Sequence, residues 1–298
     1  MNFILKVAQV VVLCCVTTLA FGGMAVAQSS DADRAPKHKQ LSWAPPDVNA
    51  PLPSLASTPP CDLSKVLQDA GARAEELTAN LENFTAEEKI EYQRLDRNGA
   101  WEEGDSSVFD YVFAFEETGK GRGTREYRTP AKGGHNFPAS GQDTGEAALA
   151  LIFLPTMQTD YQMSCEGLDK WNGQPAWVVH FVQRRGKPAR TFQLRATKGV
   201  YGVLLAGRAW ISIDNAQVLH LETNIMQTIP AINLYGGATS IDYAPVRIAS
   251  RKLELWLPER IEAYWEIGDR RTMLYHTFSD FRVFSVEIQE NVEKPKEQ

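Results

Sequence analysis

Residues 253–267 read Leu253-Glu254-Leu255-Trp256-Leu257-Pro258-Glu259-Arg260-Ile261-Glu262-Ala263-Tyr264-Trp265-Glu266-Ile267. Leu253, Leu255 and Leu257 recur at every second position, as do Ile261, Ala263, Trp265 and Ile267. Lys252, Glu254, Arg260, Glu262 and Glu266 occupy the positions between. In an extended chain successive side chains point to opposite faces, so one face here is apolar and the other wet. That division is expected of an antiparallel sheet with one face on a core. Pro258 cannot donate to a strand ladder and predicts a break between strands at 251–257 and 260–267.

The same period runs outward from this stretch. Phe109, Tyr111, Phe113 and Phe115 place four aromatic rings on one strand face, and Trp177, Val179 and Phe181 share another. Ala209, Ile211 and Ile213 precede a tight hairpin at Asn215-Ala216. About eleven strands are expected, mostly joined by hairpins and therefore antiparallel. Two helices are expected as well. Asp62 is a candidate N-cap for 63–83, where Val66, Ala70, Ala74, Leu77 and Leu81 form an apolar stripe. Asp143 or Thr144 would cap a second helix over 144–154, apolar nearly all round, with Pro155 following its end. The fold class is α+β, a large curved antiparallel sheet wrapping two helices. Two helices are too few to cover that many strands, so part of the concave face is expected to stay open.

Residues 1–27 have the parts of a secretory signal: Lys6, an apolar run from Val7 to Phe21, and Ala25-Val26-Ala27 before the expected cut. A membrane anchor needs ~20 uninterrupted apolar residues, and Gln9 and Gly22-Gly23 interrupt this run. Cys14 and Cys15 lie within it, preceded by Leu13 rather than by the small residue a lipid-attachment site requires. Cleavage leaves 271 of the 298 residues, with 30 Lys and Arg against 37 Asp and Glu, a formal charge of −7. The acidic balance and lack of a basic run argue against a nucleic-acid partner. Residues 28–60 hold 7 of the 16 prolines without periodic apolar residues and read as a flexible linker. Residues 61–288 read as the domain and 289–298 as a charged tail. Cys61 and Cys165 remain after cleavage; they either pair in an oxidising compartment or stay as buried thiols.

Enzyme signatures are missing from the sequence. It has no H-E-x-x-H, no G-x-S-x-G, no C-x-x-C and no phosphate-binding loop. Gly119-Lys120-Gly121-Arg122-Gly123 reads as a hairpin tip, since no helix follows to face a phosphate. His135, His180, His220 and His276 fall on separate elements without metal-pair spacing, and His38 lies in the linker. Asp62, Glu87, Glu88, Glu262 and Glu266 are carboxylates that nothing in the sequence separates from solvated charges. No catalytic residue, metal or cofactor is expected.

Two stretches carry a resemblance. One is Gly207-Arg208-Ala209-Trp210-Ile211-Ser212-Ile213-Asp214-Asn215-Ala216-Gln217-Val218-Leu219-His220-Leu221-Glu222, a Trp-bearing strand that turns back through an Asp. The other is Leu253-Glu254-Leu255-Trp256-Leu257-Pro258-Glu259 with the strands after it. With the signal, the early amphipathic helix and the long meander, the chain resembles the LolA-like lipoprotein carrier superfamily over roughly 61–288. The resemblance implies an unclosed half-barrel of about eleven strands over helices, with a hydrophobic cavity for acyl chains. The long linker and larger domain depart from a dedicated lipoprotein carrier.

Two functional readings follow. The first is a periplasmic carrier for a lipid or acylated ligand, with Phe109, Tyr111, Phe113, Phe115, Trp177, Phe181, Leu255 and Trp265 as candidate cavity wall. Core packing is the plainer role for the same rings. The second is a protein-interaction or envelope-sensing module that meets an envelope protein through exposed Trp210, Trp256 and Tyr264.

Overall fold

The Asp62 carboxylate accepts the backbone N–H of Lys65 at 3.1 Å and caps helix α1, Leu63–Asn80. Val66, Ala70, Gly71 and Ala74 form its buried stripe. The helix stops three residues short of the expected end because Leu81 turns extended and leads into the first strand. The computed structural model describes residues 45–52, 60–81, 83–96, 100, 102, 104–118, 121–135, 142–196, 198–248 and 252–284. All of these belong to one compact unit, Gln40–Gln298. The expected signal, most of the expected linker, the turn tips at 97–99 and 119–120 and the expected tail lie outside the described residues.

Thirteen strands are found among the described residues. They are β1 Asn83–Leu95, β2 Asp105–Thr118, β3 Gly121–Pro130, β4 Gln142–Thr144, β5 Tyr161–Trp171, β6 Gln174–Gln183 and β7 Gln193–Ala196. The series continues with β8 Gly199–Gly202, β9 Leu205–Ser212, β10 Val218–Ile225, β11 Leu234–Ile248, β12 Leu253–Ile267 and β13 Arg270–Phe284. Ten of them form one antiparallel sheet in the order β3-β2-β1-β13-β12-β11-β10-β9-β6-β5, leaving β3 and β5 as unjoined edges. The short strands β4, β7 and β8 make a second sheet.

Two sequence expectations are corrected. Pro258 does not divide two strands: β12 runs through it, and the ladder to β11 shifts register where Tyr243 faces Pro258. A bulge is where a strand tolerates a residue without an N–H. The second correction concerns 144–154, which forms no long helix. Leu149–Phe153 make a 3-10 turn, and a four-residue helix α2, Pro155–Gln158, starts at the proline expected to follow a helix end. Proline suits a first helical turn, where its missing N–H has no partner to lose. Leu149, Leu151, Ile152 and Phe153 are buried as their composition requires.

The inner face of the sheet carries the main core. Phe84 stacks on Phe113 with ring centroids 5.1 Å apart, and Tyr111 meets Phe278 edge-on at 5.3 Å. Glycine shapes this core at two cross-strand positions. Phe181 faces Gly207, and Trp265 faces Gly237. A Cβ on Gly207 would lie 2.3 Å from the Phe181 ring, and one on Gly237 would lie 2.4 Å from the Trp265 ring. Each aromatic ring lies across the neighbouring strand in space that only glycine leaves.

The outer face is less wet than the alternation implies. Ala176, Val178, Trp210 and Leu219 form an apolar patch there, and Leu95, Ala238, Tyr264 and Met273 form another. Residues 45–52, expected to be flexible linker, are strapped over this face instead. Val48 is fully buried, and its N–H donates to Asn224 Oδ1 at 2.9 Å. Asn224 Nδ2 donates to Pro46 O at 3.0 Å, and the Arg208 guanidinium donates to Ala50 O. The strap also puts Leu52 against the Trp210 patch.

Candidate ligand-binding site

Helix α1 lies over the 3-10 turn, and the two leave apolar space between themselves and strands β10–β12. Two clefts open there. The first has Ala70, Arg73, Ala74 and Leu77 of α1 on one side and Ala216, Gln217 and Val218 on the other. The second runs toward Leu81, Phe84, Phe113, Phe115, Ala147 and Leu257. Leu77, Ala150, Leu151, Tyr243 and Trp256 line both, so the clefts stand back to back across a shared wall. Tyr243 presents little polarity to this space. Its hydroxyl accepts the Ala150 N–H at 3.1 Å, and burial pushes its ionisation far above the usual tyrosine range. Among the described residues, Arg73 is the only formally charged one that lines either cleft.

Of the eight candidate wall residues, Phe113 and Phe115 line the second cleft. Phe109, Tyr111, Phe181, Leu255 and Trp265 are buried in the core and line neither, and Trp177 packs half-buried against that core. The inner face is therefore filled mainly by its own rings, and these two clefts lie on its α1 side. The candidate contact surface is corrected too. Trp210 and Tyr264 are 5% and 3% exposed, held in the outer-face patches, while Trp256 turns into the clefts. Trp210 Nε1 donates to Asp169 Oδ2 at 3.2 Å. Leu77, Leu151 and Trp256 were readable as helix-stripe or strand residues, but their convergence depends on where α1 docks.

Four polar residues from three strands meet inside the core. Glu88 of β1 accepts from Arg128 of β3 through Nε at 2.6 Å and a second nitrogen at 3.0 Å, with His276 Nδ1 of β13 at 2.8 Å. Glu126 Oε2 lies 3.2 Å from Arg128, and Glu126 Oε1 accepts the Gly145 N–H at 2.7 Å. Burial raises the Glu88 pKa, but Arg128 and His276 outweigh it and bring the carboxyl to about 2. Glu126 is pushed up, mainly by burial. None of these four residues lines either cleft. On the outer face, the His220 ring stacks on Trp171 at 3.5 Å between centroids, and its Nδ1 lies 2.8 Å from Asp242 Oδ1. Burial depresses the His220 pKa, and hydrogen bonds to Asp242 and Glu222 more than offset it. Cys61, just ahead of α1, forms a disulfide with Cys165 of β5, with Cα atoms 6.3 Å apart. No group of three metal-ligating side chains is assembled among the described residues.

No family model matches the chain, and no curated protein matches it in sequence. Among solved structures it is similar to an outer membrane lipoprotein-sorting protein domain from Vibrio parahaemolyticus, at 13% identity and a TM-score of 0.41, over 76% of this chain and 95% of that one. It is also similar to a DUF1329 family protein from Desulfovibrio piger, at 11% identity and a TM-score of 0.41, over 74% and 92%. A LolA superfamily protein from Nitrosomonas europaea is similar at 12% identity and a TM-score of 0.37, over 74% and 94%.

Proposed function

We propose that this chain is an exported, non-catalytic carrier that holds the apolar part of a lipid or other hydrophobic ligand between α1 and the sheet. The observation that supports this reading best is the pair of apolar clefts sharing Leu77, Leu151 and Trp256. The enclosed room in the two clefts is about 30 and 20 Å³, far below the ~300–1,000 Å³ typical of ligand pockets, so the cargo is one slender tail that parts α1 from the sheet as it enters. A non-catalytic role fits a lining whose ionisable groups are Arg73 and the hydrogen-bonded Tyr243. Export rests on the signal-like residues 1–27. Among the described residues no helix is long and apolar enough to cross a membrane.

Titration with cis-parinaric acid, a fatty acid whose fluorescence rises in apolar surroundings, tests the proposal. Saturable binding is expected for the native chain, weakened about tenfold or more by Leu77→Trp, which fills the shared wall. Absence of binding, or equal binding by the two proteins, contradicts the cleft as the site.

A further inference from the structure

The two clefts differ at their ends. The second is lined by Phe84, Phe113 and Phe115, whereas the mouth of the first carries Arg73 and Gln217. Arg73 is held in place there. Its Nε donates to Asn215 O of the β9–β10 turn at 2.8 Å, and Nη1 donates to Glu76 at 2.7 Å. That turn is itself braced: Ser212 Oγ accepts the N–H groups of Asp214 at 3.2 Å and Asn215 at 3.4 Å. A guanidinium has five N–H donors in one plane, and the bond to Asn215 O anchors that plane beside an otherwise largely apolar space. The Glu76 partner is half-exposed. An exposed pair three residues apart on a helix is weak, so an incoming anion readily displaces it.

Resting on the carrier reading above, we propose that the ligand is an amphipathic anion. Its carboxylate or phosphate head meets Arg73, and its tail lies between α1 and the sheet. An apolar tail alone would gain from the clefts but leave nothing to choose one head group over another. Arg73 supplies that choice, because a bidentate guanidinium–oxyanion contact is charge-assisted and directional.

The test compares cis-parinaric acid with its methyl ester on the full chain, with inorganic phosphate as a tail-free competitor. The acid is expected to bind about tenfold more tightly than the ester. Arg73→Ala should weaken the acid far more than the ester and so remove that preference, Arg73→Lys should keep part of it, and phosphate should displace little acid. Equal binding of acid and ester by the native chain overturns this inference and leaves the carrier reading standing. Equal weakening of both probes by Arg73→Ala overturns it as well, by making Arg73 a structural residue. Full displacement by phosphate points to an anion site independent of any tail and overturns it. Failure of both probes to bind overturns the carrier reading and this inference with it.

Discussion

His276 Nδ1 lies 2.8 Å from Glu88 Oε1 in the core, across paired strands 188 residues apart in sequence. An ionised carboxylate is acceptor only, so Nδ1 carries the proton of this bond. With Arg128 on its other side, Glu88 is the anion around which β1, β3 and β13 are joined. Removing it leaves a buried guanidinium without its main counter-charge. Glu88→Leu should therefore cost ~3–5 kcal/mol in urea denaturation, and the double change Glu88→Leu, Arg128→Met should recover much of that loss.

The same carboxyl sets an acid limb. Its pKa is lowered from 4.5 to about 2, so its stabilisation is complete above 4.5 and is lost as pH falls from there toward 2. The full loss is about 3 kcal/mol. Glu126 has the opposite sign: its pKa is raised, so its contribution is present at low pH and declines as pH rises above 4.5. Stability curves between pH 2 and 7 should show the acid limb shrink in Glu88→Gln, leaving the smaller shares of Asp105 and Asp242, and Glu126→Gln should cost less at neutral pH than Glu88→Gln.

His220 provides a second titration. Its pKa is raised above 6.5, so the stability it adds is full below that value and is lost as pH rises through its folded pKa. Imidazole NMR should report that elevated value. Asp242→Asn should bring it down by removing the hydrogen bond at Nδ1.

Cys61 and Cys165 close a loop with a sequence separation of 104 residues. On chain-entropy grounds such a link contributes ~4–5 kcal/mol. Cys61→Ser should lower the denaturation midpoint accordingly. In the chain beginning at Gln28, a thiol assay on denatured protein should find no free cysteine until reductant is added.

The strap carries its own test. Val48→Asp puts a charge into a fully buried site on the outer face, and limited proteolysis should then cut within 45–52 much faster than in the native chain.

The alternation at 253–267, the Asp62 cap and the apolar faces of the strands were legible because each depends on neighbours in sequence. What escaped depends on distant ones. Residues 45–52 have no period and many prolines, so they read as linker; their partners Arg208 and Asn224 stand more than 150 positions away. Glu87 and Glu88 are indistinguishable as letters, yet a single step along β1 sends one outward and buries the other beside Arg128. Phe181 and Trp265 read equally well as cavity wall or as filling. The glycines opposite them, Gly207 and Gly237, decide for filling, and cross-strand register was needed to see that. The clefts arise where α1 and the 3-10 turn dock, which the helix stripe alone does not specify.

Mass spectrometry of organic extracts from the purified native chain and its Leu77→Trp variant tests the carrier reading most directly. A tail-bearing amphiphile recovered in near-stoichiometric amount from the native chain, and strongly depleted from the variant, is the predicted result. Extracts free of such a molecule, or carrying it equally in both proteins, would contradict ligand binding between α1 and the sheet.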